Sequence, residues 1–115
     1  MHTVKFTQQV SDKQIEWLME EALKWCTYWA DDALVFTGPT ATGDPDKVDD
    51  FFPSEALTNG YNLKIHDTEE NKWHLITLND LLTAIGESRI DMECYDMYAA
   101  EEVLQRAIFG EVVYG

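Results

Sequence analysis

Positive charge is scarce in this chain: 8 lysines and arginines stand against 22 aspartates and glutamates, a formal net charge of −14 at pH 7. Such an imbalance repels nucleic-acid phosphates and anionic lipid headgroups, which excludes direct binding to either. Long apolar runs are missing too. No stretch approaches the roughly 18 apolar residues that cross a bilayer, and no basic segment followed by an apolar run marks a leader, so a cytoplasmic location in whatever cell makes the chain is expected. Cysteine is limited to Cys26 and Cys94, far apart and without neighbouring thiols, and both are expected to be reduced.

Signatures of chemistry are equally thin. His2, His66 and His74 and the two cysteines stand at no ligand-like spacing, so no metal and no cofactor is expected. His66 and His74 flank a turn, which makes them candidate cross-strand neighbours. The stretch from Gly38 to Pro45 has the glycines of a phosphate loop but lacks its Gly-Lys-Ser/Thr ending, so no cation meets the phosphate. Asp44, Asp46, Asp49 and Asp50 depart from a calcium-loop pattern at Pro45 and Val48. There is no nucleophile elbow, no Cys–His spacing and no cofactor fingerprint. Carboxylate pairs are so abundant here that they carry no information about catalysis. No catalytic residue is assigned, and the chain reads as non-enzymatic.

What is present is a core. An apolar share of 45% and an aromatic share of 12% in 115 residues support one folded domain, residues 1–115. Its longest element is a helix expected over Ser11 to Trp29. Ser11 and Gln14 have capping-box spacing, and at about 100° per residue Ile15, Leu18, Met19, Ala22, Cys26 and Trp29 share one face. Trp17, Glu21, Lys24 and Tyr28 line the opposite face, which makes Trp17 and Tyr28 candidates for a homodimer interface.

Around this helix the pattern predicts a short strand over Thr3 to Val10 and another over Ala33 to Thr37. Residues 38–59 carry all three prolines and read as a long acidic loop, clamped to the body by Val48, Phe51 and Phe52. Gly60 to Thr77 predicts an antiparallel hairpin, with Leu63 and Ile65 alternating with polar residues in one strand, and Trp73 and Leu75 alternating with Lys72, His74 and Ile76 in the other. Thr77 and Asp80 cap a further helix with a stripe of Leu78, Leu81, Leu82 and Ile85, ended near Gly86. A last helix is expected over Ala99 to Phe109, with Val103, Leu104, Ala107 and Ile108 inward and Gly110 as a left-handed cap. Glu101 and Glu102 then fall in its first turn, where the helix dipole favours negative charge. Val112 and Val113 follow as an edge strand or a cover for the core. The class is α+β, with about three helices on a small, mainly antiparallel sheet with a central hairpin.

Two sets of carboxylates are candidates for binding a partner: Asp31, Asp32, Asp44, Asp46, Asp49 and Asp50, and Asp91, Glu93, Asp96, Glu101 and Glu102. An array of carboxylates can stand in for phosphates in the channel of a basic, nucleic-acid-binding protein. The plain alternative is a solvated face whose charge only keeps the chain soluble.

Tyr28-Trp29-Ala30 and the ending from Leu104 through Phe109-Gly-Glu-Val-Val-Tyr-Gly115 resemble a group of small acidic proteins encoded by bacteriophages and prophages. The resemblance covers both ends of the chain, its tail being the more specific part, and carries over no catalytic residue. It implies a mobile-element origin. The expectation is a non-enzymatic, DNA-mimicking inhibitor of a basic nucleic-acid-binding host defence protein, of anti-CRISPR or anti-restriction type. The alternative is a phage accessory or assembly protein that forms homo-oligomers through exposed aromatics.

Overall fold

The structure, a computed structural model, describes residues 2–3, 9–36 and 52–115. Asp44, Asp46, Asp49 and Asp50, with Val48 and Phe51 of the expected clamp, lie outside these residues. The fold is α+β. Strands β1 (His2–Thr3) and β2 (Gln9–Val10) pair antiparallel with each other, so the two ends of the expected first strand do not continue one line.

Helix α1 runs over Asp12–Trp25 behind the Ser11 N-cap. The capping box is complete: Ser11 Oγ accepts from the Gln14 N–H at 3.2 Å, and Gln14 Oε1 accepts from the Ser11 N–H at 3.0 Å. Ile15, Leu18 and Met19 are fully buried on its inner face, each worth about 1.5–3 kcal/mol of apolar burial. The helix stops four residues short of the expected Trp29. The Cys26 carbonyl accepts from both Trp29 N–H and Ala30 N–H at 3.0 Å, closing a turn that swings the Trp29 ring into the core. Trp29 is buried either way, which is why helical periodicity alone extends the helix too far.

The main sheet is antiparallel in the order β3 (Ala30–Phe36), β4 (Asn62–Asp67), β5 (Lys72–Ile76). Strand β3 begins three residues earlier than the pattern implies. Between β3 and β4, the last part of the expected loop is ordered as a short helix α2 (Pro53–Ala56) continued by a 3-10 turn (Leu57–Asn59). Ala56 and Leu57 are buried there, whereas Phe52 is exposed rather than packed into the core. Gly60 closes this turn at φ +85°, a conformation that glycine reaches without strain.

Register decides which face of the hairpin is inward. Leu63 opposes Ile76 and Ile65 opposes His74, so Leu63, Ile65 and Ile76 enter the core while Trp73 lies on the outer face, half exposed. His66 opposes Trp73, which puts His66 and His74 on opposite faces and corrects their expected pairing. Helix α3 (Leu78–Ser88) starts with a complete Thr77–Asp80 capping box and passes through a buried Gly86, ending instead at Arg89 in the left-handed conformation. Leu81, Ala84 and Ile85 are its buried positions, with Leu78 and Leu82 at the margin. Helix α4 (Met97–Phe109) begins two residues earlier than expected, because Asp96 is its N-cap and accepts from the Ala99 N–H at 2.8 Å. It packs between α1 and α3. Gly110 ends it at φ +79°. Val112 and Val113 add no strand and stay partly exposed; Tyr114 covers the core in their place.

Candidate binding surface

The C-terminal tail is fastened by a buried polar network that starts from Gln105, itself fully buried. Its Oε1 accepts from the backbone N–H groups of Val113 and Tyr114, both at 2.8 Å, and its Nε2 donates to Glu101 Oε1 at 2.7 Å and to the Tyr114 carbonyl at 2.9 Å. One side chain thus supplies the tail with the hydrogen bonds that a neighbouring strand would otherwise give. Glu101 Oε1 also accepts from Trp29 Nε1–H at 2.6 Å and from the Tyr28 hydroxyl at 2.9 Å. Glu101 is therefore 6% exposed and is removed from the expected acidic surface. It lies in the second turn of α4, past the reach of the helix dipole that its expected position invoked.

The tail ends in an aromatic stack. Tyr114 lies over Trp29 with centroids 5.4 Å apart, and Phe109 meets Trp29 at 5.6 Å and Tyr114 at 5.8 Å. The Tyr114 hydroxyl donates to Asp67 Oδ2 at 2.8 Å. Asp67 is fully buried, yet it also accepts from the backbone N–H groups of Glu69 and Glu70 and contacts His74 Nε2 at 3.3 Å. Burial alone would raise its pKa; the bonds from Tyr114, Glu70, Glu69 and His74 outweigh it and hold the carboxyl below the usual range. Burial and the bond to Asp67 push the Tyr114 hydroxyl up to about 12, and burial with the Glu101 bond pushes Tyr28 to about 12. Cys26 is buried beside this network; burial and the charge of Glu101 raise its thiol to about 11, while Cys94 is exposed.

Among the described residues, Asp67, Glu70 and His74 bring possible ligand atoms within 4.8 Å of one another. A cation held there would have to displace the Tyr114 hydroxyl and the His74 contact from Asp67 Oδ2, so the arrangement reads as a fastening of the tail.

On the other side of Glu101 lies an open cleft of about 480 Å³, walled by Trp25, Tyr28, Met97, Tyr98 and Val112, with Glu102 at its edge. Trp25, Tyr28 and Tyr98 keep between 43% and 68% of their surface exposed, a wide aromatic area for a chain this acidic. Trp17 is also half exposed, with Lys13 Nζ 5.9 Å from its ring. Tyr28 belongs to the turn after α1 rather than to the Trp17 face, so the two are no longer one line on a helix.

No family model matches the chain, and no curated protein or solved structure is significantly similar to it.

Of the remaining candidate carboxylates, Asp31, Asp32, Asp91, Glu93, Asp96 and Glu102 are all exposed. Asp91, Glu93 and Asp96 share the short connection before α4, where Asp91 also accepts from the Glu93 N–H at 3.0 Å. Asp31 and Asp32 sit at the start of β3, and Asp32 opposes His66 beside the hairpin tip. That tip carries Glu69 and Glu70, both exposed and neither among the two expected carboxylate sets. The missed signal was positional: the turn of one hairpin had to be placed beside the start of a strand more than thirty residues earlier, as the Asp31–His66 contact at 2.6 Å now does. Among the described residues, no helix is long and apolar enough to cross a membrane.

Proposed function

We propose that this chain is a non-enzymatic binding protein of mobile-element origin that inhibits a basic, nucleic-acid-binding host protein in the cytoplasm, in the manner of an anti-CRISPR or anti-restriction factor. The observation that carries the reading is the acidic end of the sheet, where the β3–β4 register gathers the exposed carboxylates of Asp31, Asp32, Glu69 and Glu70. A second set, Asp91, Glu93 and Asp96, precedes α4. Among the described residues, neither Asp31, Asp32 nor the second set meets a lysine or arginine within ion-pair distance. At the sheet end His66 meets Asp31 and Lys72 meets Glu70, and the remaining carboxylates outnumber these cations, an excess that favours a basic partner and speeds its approach.

The test is capture of partners from a bacterial lysate, followed by competition between the chain and duplex DNA for the captured protein. Binding should fall steeply between about 50 and about 200 mM salt, as phosphate-like contacts do. Charge reversal at Asp32, Glu69 and Glu70 together should abolish it. Salt-insensitive binding, or full competition by that variant, sinks the mimicry of phosphates.

The exposed aromatics favour a second reading, an accessory or assembly protein that self-associates. It predicts a dimer in sedimentation that is lost on Trp17→Ala or Tyr28→Ala.

A further inference from the structure

The cleft beside the tail combines two features that do not belong together in a purely structural surface. It is lined by the exposed rings of Trp25, Tyr28 and Tyr98 and by the acidic residue Glu101. All the hydrogen bonds to Glu101 end on Oε1; Oε2 accepts none among the described residues. No buried side-chain oxygen among those residues lacks a partner, so Oε2 keeps contact with solvent, and Glu101 is one of the residues that line the cleft. The donors on Oε1 are all neutral groups, and no cation pairs with Glu101 among the described residues. Glu101 is 6% exposed, and its carboxylate carries three neutral donors but no cation, so beside an aromatic cleft it attracts one. The ring of Trp25 already has an ammonium from its own chain nearby, Lys24 Nζ at 5.9 Å from the centroid.

We propose that this cleft is a receptor for an arginine side chain of a basic polypeptide, its guanidinium stacked on the aromatic walls and hydrogen-bonded to Glu101 Oε2, with Glu102 at the rim. The chemistry selects arginine over lysine. A guanidinium is flat and weakly hydrated, stacks on rings, and donates in the plane to a carboxylate, whereas an ammonium is compact and strongly hydrated. The inference rests on the reading above that the partner is basic, and it names the place where one residue of that partner is anchored.

The test uses N-acetyl-arginine amide, with the corresponding citrulline and lysine derivatives as comparison arms, followed by NMR shifts of the Trp indole N–H groups. The arginine probe should move the Trp25 signal and leave those of Trp17 and Trp73 in place. Trp25→Ala and Tyr98→Ala, both at exposed positions, should each weaken binding about tenfold, in line with the loss of one desolvated cation–aromatic contact. Trp17→Ala should change nothing. Citrulline binding as tightly as arginine, shifts spread over all the carboxylate-bearing surface, or an unaffected Trp25→Ala variant overturns the proposal. Lysine binding as tightly as arginine overturns its selectivity. The two readings separate cleanly: a captured basic protein that binds Trp25→Ala as tightly as the parent chain overturns the cleft and leaves the acidic surface standing. An arginine probe seated in the cleft of a chain that captures no basic protein does the reverse.

Discussion

Tyr114 stacks on Trp29 with ring planes only 22° apart, and its hydroxyl reaches past that ring to the buried carboxylate of Asp67. The last turn of chain is therefore joined at once to the end of α1, to the tip of the hairpin and, through Gln105, to α4. Tyr28-Trp29-Ala30 and the tail are the two halves of this junction. Their pattern has a physical reason in packing, independent of any partner.

Replacing Gln105 by Leu should destabilise the protein by about 3 kcal/mol. Leu has a similar volume but strips the Val113 and Tyr114 N–H groups of their acceptor and takes one of three donors from Glu101, and buried groups left unpaired cost about 1–3 kcal/mol each, offset where the freed tail regains water. Urea unfolding measures the loss. Hydrogen exchange should quicken at the amides of Val113 and Tyr114 well before it does within α4.

Raising the pH should release the tail. Tyr28 and Tyr114 ionise near 12 in the folded chain against 10 for a free tyrosine, so the fold holds their protons more tightly than the unfolded chain does. Their stabilising contribution is complete below pH 10 and is lost as the pH rises towards 12. Absorbance titration should find a late tyrosine step near pH 12, reduced in Tyr114→Phe. A single step for all tyrosines at the ordinary value contradicts the network.

Acid should loosen the same junction from its other end. Asp67 has a depressed pKa in the fold, so its contribution is present above the ordinary carboxylate value of 3.8 and disappears as the pH falls through the lower folded value. Asp67→Asn should be less stable at neutral pH and should lose part of the acid sensitivity. Thermal melts of both proteins from neutral pH downward compare the two slopes.

His66 titrates in the opposite sense. Hydrogen bonds to Asp31 and Asn71 raise its pKa above 6.5, with the charges of Asp31 and Asp32 adding to them. Its contribution is present below 6.5 and fades as the pH climbs through the raised value. In an NMR titration, Asp31→Asn should bring the His66 midpoint back towards 6.5; an unmoved midpoint removes the Asp31 contact.

The parts of the fold that were legible in the sequence are local in origin. The Ser11–Gln14 and Thr77–Asp80 boxes, the Gly110 cap and the two strands of the hairpin each follow from residues a few positions apart. The face of β5 was not legible, because both of its alternating sets contain large apolar residues. Only the pairing of Leu63 with Ile76 sends Trp73 outward. Glu101 is the sharpest case. In the sequence it is one acidic residue beside another, Glu102, and nothing local separates them. Burial of the first depends on donors from Tyr28 and Trp29, more than seventy positions away. The aromatic cleft escaped for the same reason: Trp25 and Tyr98 come from opposite ends of the chain and meet only once α1 lies along α4.

The burial of Cys26 has a practical side. A thiol raised to about 11 and enclosed in the core stays protonated and out of reach of reagents at neutral pH, whereas Cys94 lies open in the connection before α4. A maleimide should therefore attach one group per chain, at residue 94. The native protein can be tethered to a surface or followed by fluorescence with neither cysteine replaced.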